Sequence, residues 1–417
     1  MSTTPDVAVI GAGIVGACCA HSLSRAGLSV RILERNFPAA GTSRACDGLI
    51  LCSDKTSPAE LALGRASAAL WANLAESLAF DFEYANTGVI VVYETPEGLA
   101  AGQKQAADLC AQGINAEVLD AASLTALEPN LAPDLAGGVY YLDEAQLDAR
   151  RATLALLEGA RAQGAVLEAG VQVTGLRRAD NGRVVAAVTT QGEVSAGAFV
   201  LAAGIWSVAI AASVGLALPV KPRKGHILVT TRVPRLILHP LLEGSYAASV
   251  HATTTAAQVA FVAEMTAGGT LLLGSSREFA GFDRTVSPAV AQAIAARSIR
   301  YLPALAHHSV IRTYAGLRPW SPDHLPLVGP APGVPGLYLA TGHEGAGIGL
   351  APVTGEVLTQ WIIDRTSARG EAISELARTV VPDRFGDLSD RKDRADLATA
   401  IAGSLQAHHA LPHFLSF

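Results

Sequence analysis

Three glycines spaced Gly11-x-Gly13-x-x-Gly16, in VAVIGAGIVGACCAHSL, form the first constellation in this chain that could do binding chemistry. Gly11 permits a tight turn, Gly13 lets backbone approach a pyrophosphate, and Gly16 lets a helix pack closely on a strand. Ile14 and Val15 open that helix, whose free N–H groups and dipole face the phosphates. Glu34, followed by Arg35, ends the next apolar run, where a carboxylate accepts ribose hydroxyls and repels a 2′-phosphate. The pattern predicts a seat for the ADP half of a dinucleotide and does not by itself separate NAD from FAD. A second glycine-rich turn, GHEGAGIGLAPVTGE from Gly342 to Glu356, lies near the other end of the chain and again leads into a helical pattern. Its purpose decides between those cofactors.

Other reactive residue types are sparse. The five cysteines, Cys18, Cys19, Cys46, Cys52 and Cys110, contain no C-x-x-C pair, which argues against a disulfide framework, a zinc site or an iron–sulfur cluster held by this chain alone. The pairs His307-His308 and His408-His409 match no metal motif, so no metal is expected.

The elements that must position these residues are legible from periodicity. Residues 6–35 read strand, glycine turn, helix, strand, a βαβ unit. Helical patterns follow in AELALGRASAALWANLAESL, EGLAAGQKQAADLCAQG and residues 148–164; GVIVVYE and GGVYYLD read as strands. Several strands surround a hairpin turn at Asn181-Gly182. From Val220 to about Gly316 the chain turns strand-rich, with one helix in PAVAQAIAARSIRYLP, and βα rhythm returns at GLYLATGHEGAGIGLAP. The fold class is therefore α/β, with strand-rich blocks inserted into a nucleotide-binding domain scattered along the sequence. The expected division is 1–85, 148–220 and 316–370 for the FAD-binding domain, 86–147 and 221–315 for a substrate-binding domain, and 371–417 for a C-terminal extension read as a solvated tail.

At 417 residues the chain is too long for one small core. Half the residues are apolar and the net charge is −6, so no basic field exists to hold nucleic acid or an anionic membrane. Ser195–Val220 carries no charge and is long enough to span a bilayer, but Gly204 and Gly215 divide it into a buried strand and a short helix. DVAVIGAG begins a strand so early that no signal peptide is expected, and the class expected is a soluble, cytoplasmic protein.

The segments GTSRACDG, VQVTGL, FVLAAGIWS, TYAGLRPWSPDHLPLVG and GLYLATGHEGAGIGLAPVTGE, in this order, resemble the D-amino-acid oxidase/glycine oxidase family of FAD-dependent oxidoreductases over roughly residues 5–365. GTSRACDGLIL, LLGSSREF and GHEGAGIGLAP most resemble its catalytic subunits of opine (octopine/nopaline) and D-hydroxyproline dehydrogenases. The resemblance implies a discontinuous Rossmann-like FAD domain of the glutathione-reductase type with an inserted antiparallel-sheet substrate domain. It places Thr42, Ser43 and Arg44 at the pyrophosphate and ribityl chain, and Gly48 and Leu49 against the isoalloxazine. Val173 would meet the adenine, and Ala203 and Gly204 would close over the dinucleotide. Gly345, Ala346, Gly347, Ile348 and Gly349 would point a helix N-terminus at the flavin pyrimidine ring, where a dipole stabilises the reduced anion. No cysteine lies in LRPWSPD, where sarcosine oxidases attach the flavin, so FAD is expected non-covalently.

The same resemblance makes Arg318 the grip on a substrate α-carboxylate, a bidentate task suited to a guanidinium, and sets Tyr246 on the pocket wall. Glu344, beside the flavin, suggests a second cationic or polar substrate group; His343, His226 and Arg277 are weaker candidates. The implied activity is oxidation of the C–N bond of a secondary amino acid by hydride transfer from Cα to flavin N5. The subgroup works in complexes whose partner subunit carries an iron–sulfur cluster, with a second flavin (FMN) between subunits. A free-standing oxidase using O₂, a non-catalytic flavoprotein subunit and a NAD-dependent dehydrogenase are the alternatives.

Overall fold

In the computed structural model, residues 4–251, 256–363, 370–386 and 388 are described. Val7–Ile10 and Val30–Glu34 are almost wholly buried runs of β-branched and aliphatic residues, the pattern of strands covered on both faces. They lie at the centre of a six-stranded sheet ordered Leu327–Pro330, Leu337–Thr341, Ala198–Leu201, Val7–Ile10, Val30–Glu34 and Val166–Ala169. All neighbours are parallel except the first two. Ile14–Arg25, Ala149–Ala162 and Gly347–Ile363 pack as helices on one face. A Cβ on Gly355 would stand 2.7 Å from the Cys18 carbonyl oxygen, so the first and last of these helices touch backbone to backbone. A three-stranded sheet, Val173–Arg178, Val184–Thr189 and Gly192–Ser195, contributes to the core on the other face.

The second layer system is an eight-stranded sheet ordered Val310–Trp320, Lys221–Arg232, Thr270–Arg277, Gln258–Met265, Leu241–Glu243, Val89–Tyr93, Gly137–Tyr141 and Ala116–Asp120. Its pairings are antiparallel apart from Leu241–Glu243 with Val89–Tyr93. Helix Pro288–Tyr301 buries Val290, Ile294 and Tyr301 against it, with Phe261 and Tyr301 stacked at 4.5 Å.

Two expectations change and a third holds. A boundary at 316 would cut strand Val310–Trp320, which pairs with Lys221–Thr230 continuously enough that residues 316–320 stay with the eight-stranded sheet. Arg318 accordingly sits inside that strand. The extension also begins as structure: helix Gly370–Val380 buries Ala377 and Val380, three residues apart on one face, in the core beside the 347–363 helix. The apolar end ALPHFLSF lies outside the described residues. Ser195–Val220 divides into strand Ala198–Leu201, a tight turn at Gly204–Trp206 and helix Ser207–Ala212. Among the described residues no helix is long and apolar enough to cross a membrane.

Candidate active site

The carboxyl ends of the central parallel strands open into an elongated cavity of roughly 1640 Å³, its mouth included. Its lining runs from Glu34 and Val173 past Ile14 and Ser43 to Arg318 and Glu344, which suits a dinucleotide with a substrate beyond it. Gly11 has φ +108°, and a Cβ there would lie 2.6 Å from the Ala202 carbonyl oxygen; neither side chain nor ordinary backbone could occupy that turn. Gly16 supports it from behind, its missing Cβ otherwise 2.0 Å from the Gly11 oxygen. Ser43 Oγ accepts from the Ile14 N–H at 3.0 Å, tying the 42–44 turn to the helix N-terminus. Glu34 accepts from the Ala12 and Asn36 N–H groups, both at 2.9 Å, so its carboxylate is fixed at the end of its strand. Arg35 stacks over Trp206 at 4.0 Å, and Val173, Ala203 and Gly204 complete this end of the wall. These features fit the ADP half of FAD: a cradle of bare backbone, a helix N-terminus and a fixed carboxylate.

Thr42, Ser43, Ile14 and Val15 line the middle, and Tyr246, Arg318, Glu344, Gly345, Gly347 and Ile348 line the far end. Leu49, Ala346 and Gly349 face a small adjoining chamber that shares Asp47, Tyr246 and Gly345 with the main cavity. Two assignments shift. Arg44 is exposed and reaches over Phe37 at 5.5 Å, so it does not line the cavity. Gly48 is buried behind the wall: a Cβ would fall 1.7 Å from the Leu147 oxygen, and its N–H donates to Glu264 Oε2 at 2.7 Å.

The far end is dominated by guanidiniums. Arg318 crosses the face of Gly225, whose absent Cβ would sit 2.1 Å from Nη1, and donates to the Ser276 carbonyl at 2.9 Å. Arg223 is its direct cross-strand partner and is 2% exposed. Arg277 stacks on the Tyr246 ring at 4.6 Å. Glu344 receives Arg223 Nη1 at 3.2 Å and the Gly345 N–H. Burial alone would raise the Glu344 pKa, but Arg277, Arg318 and Arg223 outweigh it and hold the carboxyl below its ordinary value. The sequence suggested that Glu344 awaits a cationic or polar substrate group; within the protein its carboxylate is already paired with Arg223.

The two neighbouring histidines are fixed in neutral roles. His343 lines the cavity, shares a hydrogen bond with Thr354 Oγ1 at 2.9 Å, and is pushed down to about 3 by burial. His226 Nε2 accepts the Ser287 N–H at 3.1 Å, which leaves its Nδ1 to donate to Ser276 Oγ at 2.9 Å. The Cys46 thiol donates to the Ser43 oxygen at 3.3 Å, and burial raises it well above its ordinary range, so it is an unreactive wall group.

Sequence reasoning missed Asp47, Trp206, Arg223 and Glu264. Trp206 had a signal, its place in AGIWS beside Gly204; Arg223 and Glu264 had none, because both depend on how distant strands pair. Burial pushes Glu264 up to about 8. This folded-state value lies above the ordinary 4.5, so folding holds a proton the unfolded chain releases, and stability falls as pH rises from about 4.5 through 8. Glu264→Gln should flatten that slope, an effect on the order of a few kcal/mol between pH 5 and 9, read by thermal unfolding at several pH values.

Residues 6–361 match the family described as DAO, FAD dependent oxidoreductase, and the chain belongs to it. It is 30% identical to hydrogen cyanide synthase subunit HcnC of Pseudomonas protegens, covering 86% of this chain and 92% of that protein. It is likewise 30% identical to the glycine oxidase of Geobacillus kaustophilus, covering 90% and 97%. A solved glycine oxidase structure from Geobacillus kaustophilus superposes with a TM-score of 0.78 at 27% identity over 88% of this chain and 96% of that one. Iminodiacetate oxidase from Chelativorans sp. BNC1 gives 0.75 at 25% identity, over 87% and 96%.

Proposed function

We propose that the chain oxidises the C–N bond of a secondary amino acid, a D-opine such as octopine or nopaline or a D-hydroxyproline, as the catalytic subunit of a heteromeric dehydrogenase. The observation that carries this reading is Arg318, which lines the same cavity as the glycine cradle and Glu34 that suit FAD. When bound, FAD supplies a two-electron acceptor there. Arg318 would hold the α-carboxylate and aim the Cα–H bond, which makes the reaction effectively intramolecular. Gly345 and Gly347, at the start of the 347–363 helix, would present N–H groups where negative charge gathers. The product imine hydrolyses in water.

The charge around the substrate end supports an anionic amine. Arg223, Arg277 and Arg318 act on Glu344 together, so this end carries positive charge for a second substrate carboxylate, which octopine and nopaline both bear on the N-substituent. Iminodiacetate, the compound for which one structural neighbour is named, has the same arrangement of a secondary amine between two carboxylates. HcnC is named as a subunit, which supports a partnered protein; the partner would carry an iron–sulfur cluster and pass electrons onward.

The test is anaerobic reduction of the purified yellow protein by D-octopine, D-nopaline, cis-4-hydroxy-D-proline, iminodiacetate, sarcosine, glycine and D-alanine. Bleaching by opines, iminodiacetate or hydroxyproline with little by glycine supports the reading. Bleaching by glycine or D-alanine alone replaces it with an amino-acid oxidase, and peroxide formation in air marks O₂ as the acceptor. A flavin-to-chain ratio of one in the isolated chain leaves any second flavin to a subunit interface.

A further inference from the structure

We propose that Asp47 holds the substrate's amine and takes its proton before the Cα–H bond breaks. The inference rests on the amine-oxidation reading above. An amino acid is mostly an ammonium ion at neutral pH, and an ammonium nitrogen has no lone pair to drive loss of hydride from the neighbouring carbon. A site that binds the cation needs an acceptor one carbon away from the carboxylate grip.

Three carboxylates line the cavity, Glu34, Asp47 and Glu344. Glu34 is committed to backbone N–H groups at the opposite end. Glu344 already accepts from Arg223 Nη1 and the Gly345 N–H, so its two oxygens are engaged. Asp47 remains. It precedes Gly48 on the loop at the substrate end and lines both the main cavity and the adjoining chamber. The chamber contains the Asp54–Lys55 ion pair at 2.8 Å, a polar side from which a proton can leave.

The groups facing Asp47 come from every surrounding element. Arg318, Arg277, Glu264 and Tyr314 of the eight-stranded sheet act on it electrostatically, with Tyr246 and, in its own loop, Cys46 and Asp54. Burial raises the Asp47 pKa, while Arg318, Arg277 and the Leu49 N–H pull it back only in part. Glu344, in the same cavity, is moved the other way. Two carboxyls whose environments push them apart divide the labour: the lowered one stays a fixed charge and the raised one exchanges protons. His343 is no rival, since burial leaves it too weak a base.

The step balances. The ammonium N–H bond breaks and its proton goes to an Asp47 carboxylate oxygen. The freed amine lone pair could then close the C=N bond as the Cα–H electron pair is lost, with FAD, when bound, supplying the two-electron acceptor. Water adds to the resulting iminium, the C–N bond breaks to keto acid and amine, and Asp47 returns its proton to solvent.

Asp47→Asn separates this role from a structural one. With whichever amino acid of the panel reduces the flavin fastest, the variant should lose at least 100-fold in kcat/KM at pH 7. It should recover about tenfold per pH unit toward the amine's own pKa, because only free amine can then react. Asp47→Glu should restore at least a tenth of the lost rate. Methoxyacetate, an unreactive ether isosteric with sarcosine, should bind oxidised Asp47→Asn at least as tightly as wild type, followed by the shift in flavin absorbance; it has no proton to give. Turnover of Asp47→Asn within threefold of wild type overturns the inference. So does a uniform loss at every pH with methoxyacetate binding lost too. A wild-type protein that no amino acid bleaches overturns the amine-oxidation reading, and this inference with it.

Discussion

Arg318→Ala should yield a protein that still binds flavin and has lost about 10²–10³-fold in kcat/KM for its amino-acid substrate. The dinucleotide end of the cavity is built from Gly11, Gly13, Ser43 and Glu34, none of which depends on Arg318. The substrate end does. Removing one partner of a desolvated charge pair costs about 2–5 kcal/mol, and each 1.36 kcal/mol is tenfold in rate. Arg318→Lys should recover only part of this, because an ammonium cannot span a carboxylate bidentately. The position is unforgiving: Gly225 leaves the groove in which the side chain lies, and the Ser276 carbonyl fixes the guanidinium at 2.9 Å. The check is stopped-flow flavin reduction together with the flavin-to-protein ratio. Unchanged flavin reduction at full flavin content would show that Arg318 does not grip the substrate, and unchanged turnover of the whole complex by a variant whose own flavin is no longer reduced would assign this chain a non-catalytic place.

Much of this was legible in the sequence, and the reason is local. Gly11, Gly13, Gly16 and Glu34 report their function through spacing alone, since a βαβ unit brings residues within one short stretch to one strand end. Val7–Ile10 and Ala198–Leu201 announce themselves as fully buried strands by unbroken apolar runs. What spacing could not show is which distant strands lie side by side. Arg223 and Arg318 are 95 positions apart by number, yet register makes them direct partners. Nothing in KPRKGH says that its arginine will be 2% exposed. Glu344 was therefore recognised as an unusual acid beside the flavin without its protein partner, Arg223, which is brought to the site by sheet pairing. Asp47 escaped notice for a related reason: its neighbours in space, Arg277, Glu264 and Tyr314, come from strands that the sequence does not order. Ala377 and Val380 show the same limit at the chain's end, where a short amphipathic helix reads as solvated until the core beside it is seen.

That unforeseen pairing sets the second large effect. Like charges directly opposite in a sheet repel, and Arg223 faces Arg318 across two strands with Arg277 close by. Glu344 supplies the counter-charge, and it does so from φ +47°, a left-handed conformation that a non-glycine residue adopts at a cost. The strained backbone is retained because it delivers a carboxylate to Arg223, Arg277 and Arg318 together. Glu344→Ala should therefore destabilise the protein by about 3–5 kcal/mol at neutral pH, the range for breaking a buried ion pair from one side. Glu344→Gln keeps the shape and a hydrogen bond but not the charge, and should fall between. The pH dependence carries the sign. Because the folded-state pKa of Glu344 is held below its ordinary value, its stabilisation is full above about pH 4.5 and is lost as pH falls through the lowered value. The wild-type advantage over Glu344→Gln in thermal unfolding should then be constant from pH 6 to 8 and shrink in acid. Glu344→Gly relieves the backbone while removing the charge; if it proves as stable as wild type, the carboxylate is not what reconciles the arginines.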